Sequence, residues 1–309
     1  MQLTVLISTH NPHPERLQRV LASLQVQTLP VSKWQTILVD NASSPALSPT
    51  EPSTTSVSNL RLVQEPQLGL TAARRCGFHE TKQGIVVLVD DDNVLAPDYL
   101  EQTLAVFERL PMVGAIGGKS HPSFETEPPA WTNEFFPLLA LRDLGETELI
   151  FSPNNKDDRS PREYPSFAPI GAGMALRREA ISAWLESNTQ LSDRRGSDLT
   201  SSGDNDMVFS IMKSGWEIAY IPKLKLTHII PAGRLAPDYL ARLNRGIQRS
   251  WVRVLAKHDA CPWLAIPRWT LPLRILRARL RAREWQGPMQ RVRAAGLIGR
   301  LEGQADISV

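Results

Sequence analysis

The first part of the chain alternates short apolar runs with amphipathic stretches. Leu3–Ile7 is apolar, and behind it Leu17, Val20, Leu21 and Leu24 recur at spacings of three, one and three, which places them on one helix face. Further strands are expected at Thr36–Val39, Leu60–Val63, Ile85–Val89 and Val113–Ile116, with helices over about 70–82 and from near Pro97. Strands and helices in this order predict an α/β fold with a largely parallel sheet flanked by helices. Residues 42–58 are rich in Ser, Thr and Pro and read as a surface loop. The stretch 120–170 has no long period and is expected to cross the open end of the sheet. Beyond it, "GAGMALRREAISAWL" reads as a turn feeding a helix, and "NDMVFSIMKSG" as a helix stopped by Gly215. Strand-like segments follow at Glu217–Ile221 and Leu224–Thr227, and the chain reads as helical from about residue 236.

Composition sharpens this picture in two places. The 309 residues are 42% hydrophobic, enough for a sizeable core, yet no run of eighteen apolar residues occurs and no basic lead precedes the first apolar stretch. A cytoplasmic chain is therefore expected. Cys76 and Cys261 stand far apart as the only cysteines, which excludes a disulfide framework and a cysteine-built zinc site. Charge is divided unevenly: residues 1–232 carry 20 Lys+Arg against 27 Asp+Glu, and residues 233–309 carry 15 against 5. The expected organisation is a main domain over 1–232 and a basic, mainly helical C-terminal extension over 233–309. In that extension Leu273, Leu276 and Leu280 share one helical face among several arginines, with Trp263, Trp269 and Trp285 near by. This pattern suits an anionic membrane surface at the inner face of the cell membrane, or packing against the chain's own acidic part.

The strongest chemical signal is "IVVLVDDDN", an apolar strand ending in Asp90, Asp91 and Asp92. Ligands gather at the carboxyl ends of strands in open α/β sheets, and carboxylates there suit a hard divalent cation with its bound phosphates. Strand alternation would put Asp90 and Asp92 on one side and Asp91 on the other. The first strand ends in "STHNP" without G-x-G-x-x-G, so a nicotinamide dehydrogenase is disfavoured, and P-loop and G-x-S-x-G patterns are missing too. Asp40 leaves the second strand, either to accept hydrogen bonds from a nucleobase or to close an Asx turn. Asp204 and Asp206 open a helix, where a carboxylate serves as a cap or, at Asp204, as a catalytic base. His228 and Arg234 follow a strand-like segment and suit a cation and departing phosphate oxygens.

These pieces in this order resemble the family 2 glycosyltransferases, inverting enzymes with the GT-A fold, over about residues 1–232. The carriers are "STHN", Gln27–Thr28, "VDNAS" at Val39–Ser43, "LGLTAARRCGF", Asp90–Asp92 and "GDNDM". Two positions depart from the family pattern: Arg75 stands where Asn is usual, and Gly203 where Glu is usual. The resemblance implies that Thr9, Asp40, Arg74, Asp90 and Asp91 face the nucleotide of a nucleotide-sugar donor. It further implies that Asp92 and His228 hold Mg²⁺ or Mn²⁺, that Asp204 is the base and that Arg234 stabilises the diphosphate. The "QxxRW" motif of processive members is not reproduced, which favours single addition to a glycan or lipid-linked acceptor in cell-surface polysaccharide or glycolipid synthesis. Two alternatives stay open. A sugar-phosphate nucleotidyltransferase would show a Gly-rich basic loop after its first strand. A non-catalytic nucleotide-sugar or nucleic-acid-binding protein would account for the basic extension, although no stacking motif supports nucleic acid.

Overall fold

The computed structural model describes residues 2–48, 57–153, 164–187 and 199–307. Residues 49–56 of the expected 42–58 loop and residues 154–163 of the 120–170 stretch lie outside them. The chain divides into two compact units. The first comprises Met1–Ser123, Ala140–Thr189 and Met207–Ile229; the second comprises Phe124–Leu139, Gln190–Asp206 and Ile230–Val309.

In the first unit β1 (Leu3–Thr9), β2 (Trp34–Asn41), β3 (Leu60–Glu65) and β4 (Ile85–Asp90) pair in parallel, with β1 between β2 and β4. Every residue of β1 is buried, as a strand covered on both faces requires. Helix α1 (Pro14–Gln25) buries Leu17, Val20, Leu21 and Leu24, the four residues whose spacing defined it. Its start fits Pro14, whose missing N–H costs nothing in a first turn. Helix α2 (Leu70–Glu80) lies between β3 and β4 in the chain.

The expected α/β fold is thus present, but parallel pairing stops at β4. β5 (Asn93–Leu95), β6 (Val113–Phe124), β7 (Leu149–Phe151), β8 (Ala175–Arg177) and β9 (Glu217–Ile230) complete a sheet of order β3-β2-β1-β4-β8-β6-β9-β5, with β7 on β9. The β4–β8, β6–β8, β5–β9 and β7–β9 pairs are antiparallel. β8 falls within "MALR", read from sequence as a turn feeding a helix. Three residues of fully buried strand carry no period, so nothing distinguished them from the short α4 (Ser182–Glu186) that follows. The two strand-like segments after Gly215 are one continuous β9, with Pro222 tolerated inside it.

Helix α3 (Tyr99–Arg109) begins two residues after Pro97, because the turn before it is held from outside. Thr28 donates its backbone N–H to the Pro97 carbonyl (2.8 Å). Gln27 donates its side-chain amide to the Ala96 carbonyl (2.8 Å) and accepts from the Leu100 N–H (3.1 Å). The Gln27–Thr28 pair at the end of α1 therefore fixes the segment that follows the acidic turn.

The second unit includes the end of α5 (Gly203–Lys213) that carries Asp204 and Asp206, then α6 (Pro237–Lys257), α7 (Leu271–Ala282) and α8 (Pro288–Asp306). Gly296, Gly299 and Gly303 let α8 approach α6 closely, and a Cβ at Gly299 would stand 2.1 Å from the Arg245 carbonyl oxygen. A backbone carbonyl inside a helix cannot swing aside. Gly299→Ala should therefore lower unfolding stability by about 1–3 kcal/mol, read as a shifted urea midpoint at unchanged slope. A wild-type midpoint would show that the two helices slide apart freely.

Candidate active site

The site grows from a conflict between burial and charge. β4 runs buried from Ile85 to Val89 and then releases three consecutive carboxylates at the carboxyl edge of the parallel strands. The strand ends at Asp90, and Asp91 and Asp92 occupy a turn before β5, so simple strand alternation does not apply to them. Each carboxylate instead has its own partner. Asp90 pairs with the buried Arg74 of α2 (3.6 Å), Asp91 accepts the Thr9 hydroxyl from the end of β1, and Asp92 meets His228 Nε2 from β9 (3.2 Å). Three elements thus divide a charge that would otherwise repel itself.

Asp92 is the most enclosed of the three carboxylates, at 4% exposure, matching His228. Its Oδ1 also accepts the Asn93 side-chain amide (3.0 Å), and its carbonyl accepts the Ile229 N–H (2.9 Å). The β5–β9 register sets Asn93 opposite His228, which fixes the imidazole beside Asp92. The family resemblance paired Asp92 with His228, and the two side chains lie side by side in the structure. Asn93 was missed, although an Asn emerging from an apolar strand after three Asp residues is itself unusual.

Thr9, Arg74, Asp90, Asp91, Asp92 and His228 all belong to the first unit. Asp40 lies on the same strand edge and is fully buried. Its two carboxylate oxygens accept the backbone N–H groups of Ser43 (3.2 Å) and Leu47 (2.8 Å), which shapes the loop after β2. The neighbouring Asn41, also missed, ties that edge to the β3–α2 connection. It donates to the Glu65 and Gln67 carbonyls (3.0 and 2.8 Å) and accepts from the Gly69 N–H (2.8 Å).

Arg75, the residue that departs from the family pattern, has a structural role. Its guanidinium lies 5.0 Å from the Trp184 ring centroid and donates to the carbonyls of Trp184, Leu185 and Ser187. It therefore caps the carboxyl end of α4, where orphan carbonyls need donors.

Asp204 and Arg234 belong to the second unit. Asp204 is half-buried in the first turn of α5, and Arg234 is half-buried in the 3₁₀ turn Ala232–Leu235. Asp206, a little over half a turn away, is 1% exposed. It receives the Lys257 ammonium on both oxygens (2.6 and 2.9 Å) and His258 Nε2 on Oδ1 (2.8 Å). Burial alone would raise its carboxyl pKa, but hydrogen bonds and charge from His258 and Lys257 outweigh it and hold the group below the usual carboxylate range. Its two oxygens fasten the start of α5 to the end of α6, and Asp204, half-buried, is the less enclosed carboxylate of the pair.

A family model described as glycosyl transferase family 2 matches residues 4–185. Asp204, His228 and Arg234 lie beyond that stretch. Among solved structures, the mannosyltransferase PcManGT from Pyrobaculum calidifontis, in complex with GDP-Man and Mn²⁺, is similar over 99% of this chain and 88% of its own, at 15% identity and a TM-score of 0.61. S. aureus TarS 1–349 in complex with UDP-GlcNAc is similar over 98% of this chain and 90% of its own, at 14% identity and a TM-score of 0.53. Such distant likenesses establish a shared GT-A fold. None of the curated proteins compared matches the chain.

The Asp206 network yields a prediction with a definite sign. A carboxyl whose folded pKa is depressed contributes stability that is present above its unfolded value, near 3.9, and lost as pH falls through the folded one. Asp206→Asn should cost about 3 kcal/mol at neutral pH, the low end for a broken buried pair because Lys257 reaches solvent. The deficit should shrink as pH falls below 4. Denaturation midpoints measured across that range check it, and a deficit independent of pH would assign the loss to packing.

Proposed function

The chain belongs to glycosyl transferase family 2 and is a glycosyltransferase, and on that premise we propose that it inverts configuration as it moves a sugar from a nucleoside diphosphate to an acceptor hydroxyl. The observation that carries this reading is the acidic turn after β4, where three carboxylates are kept apart by Thr9, Arg74 and His228 at the edge of a parallel sheet. The acceptor class we propose is a growing glycan or a lipid-linked saccharide of cell-surface polysaccharide or glycolipid synthesis.

Asp92 and His228 would hold the divalent cation of the sugar diphosphate. The donor set fits one: a buried carboxylate and an imidazole lie side by side, and a nitrogen among oxygen donors favours Mn²⁺ over Mg²⁺. No group of three His, Cys, Asp or Glu side chains converges among the described residues, so phosphate oxygens would have to fill the shell. A cation so bound supplies Lewis-acid stabilisation of the charge on the departing diphosphate. Thr9, Arg74, Asp90 and Asp91 define the nucleotide side, and Asp40 serves it by shaping the loop after β2.

Asp204 would take the proton of the acceptor hydroxyl as its oxygen bonds to the anomeric carbon. The bond from that carbon to the diphosphate oxygen breaks, and the electron pair leaves with the phosphate, whose charge Arg234 would stabilise. Attack opposite the leaving group gives inversion.

A panel of nucleotide sugars should show turnover that releases nucleoside diphosphate, and release of pyrophosphate instead would point to nucleotidyl transfer. Asp204→Asn separates base from cap. Asparagine caps a helix about as well as aspartate, so folding should survive, donor affinity should stay near wild type, and transfer should slow by roughly 10²–10⁴-fold. Normal transfer by a folded Asn variant would remove Asp204 from the mechanism.

A further inference from the structure

The second unit contains a cavity of about 860 Å³ whose walls are unusually rich in arginine. Arg274, Arg277, Arg281 and Arg283 contribute from α7 and its end, and Arg293 and Arg300 from α8. Two of the six are engaged: Arg293 pairs with Glu134, and Arg300 lies over the Trp263 ring at 5.5 Å. The other four form no salt bridge among the described residues, and Arg274 donates only to the Thr270 hydroxyl (3.0 Å). Clustered guanidinium groups repel unless an anion lies among them, and their forked donors match phosphate oxygens.

What borders the cavity identifies the kind of anion. α7 buries Ala278 and turns Leu273, Leu276 and Leu280 outward at 55%, 52% and 54% exposure. At about 100° per residue these three leucines fall within one stripe about 60° wide, on the far side of the helix from Ala278. Arg274, Arg277 and Arg281 form the neighbouring stripe and face the cavity. Trp269 and Trp285, 84% and 68% exposed, stand at the two ends of the helix. Nucleic acid or a free phosphate would use the arginines and leave the leucines and tryptophans in water. A phospholipid surface satisfies both stripes.

We propose that α7 lies in the interface of an anionic bilayer and that the arginine cavity receives the phosphate of an anionic phospholipid headgroup. Leu273, Leu276 and Leu280 enter the acyl boundary, and Trp269 and Trp285 sit at headgroup level. No helix among the described residues is long and apolar enough to cross a membrane, so this attachment is peripheral. The inference goes beyond glycosyl transfer and does not depend on it, since its readout is binding alone.

Because α8 packs closely on α6 through its glycines, point substitutions test the idea better than truncation. The full chain is floated with phosphatidylcholine vesicles and with the same vesicles carrying phosphatidylglycerol. Binding should require phosphatidylglycerol. Arg274→Gln/Arg281→Gln should weaken it roughly twenty- to thirtyfold, against a change within about threefold for the charge-matched Arg242→Gln/Arg253→Gln on α6. Leu276→Ser/Leu280→Ser should also weaken it at constant charge, with unfolding midpoints confirming that each variant folds. Equal losses from both arginine pairs would overturn the cavity as a site. Equal binding to uncharged vesicles, preference for duplex DNA, or tight pyrophosphate binding with no vesicle binding would overturn the lipid assignment.

Discussion

The structure of the first unit turns on one electrostatic constraint: three adjacent carboxylates leave a buried strand together and cannot share one environment. They are resolved by separation. Arg74 reaches Asp90 from a helix, Thr9 reaches Asp91 from the adjoining parallel strand, and His228 reaches Asp92 from an antiparallel strand far along the chain. Each partner is itself buried, so the arrangement is preorganised by packing rather than assembled on demand. On the function proposed above, a divalent cation and the phosphates it carries would replace that repulsion by coordination.

Much of the surrounding structure serves that turn. Gln27 and Thr28 hold the backbone just beyond it, and the β5–β9 ladder places His228 beside it. At the start of α5 two carboxylates are likewise placed in different environments. Asp206 is buried and held by Lys257 and His258, and Asp204 is half-buried in the same turn. Two groups of identical chemistry, two positions apart, thus differ in burial, Asp206 being enclosed and Asp204 half-buried.

The parallel half of the fold was legible because β1, β2 and β4 carry apolar runs and α1 shows a clean period. The antiparallel half was legible only in part: the start of β6 and two segments of β9 read as strands, whereas β5, β7 and β8 did not. β8 is too short to display any period, and β9 contains a proline that made one strand look like two. The acidic residues and His228 stood out as chemistry in the sequence, but which carboxylate meets which partner depends on the turn at 91–92 and on strand register, neither of which a local pattern encodes. Asn41 and Asn93 escaped notice because a polar residue at a strand end reads as loop until its hydrogen bonds are seen. Arg75 shows the converse: a departure from a family pattern that the structure explains as the cap of α4.

On the proposed function the acidic turn binds a cation and a diphosphate together, and titration of UDP and GDP into the protein by calorimetry, in Mn²⁺ and in chelator, tests this most directly. Two ligands that share one turn must be coupled, and a typical coupling is worth about tenfold in affinity. At least one of the two nucleotides should bind about tenfold or more tightly with Mn²⁺ present, and Asp92→Asn should remove the difference. Equal affinity with and without the cation, for both nucleotides, would contradict it.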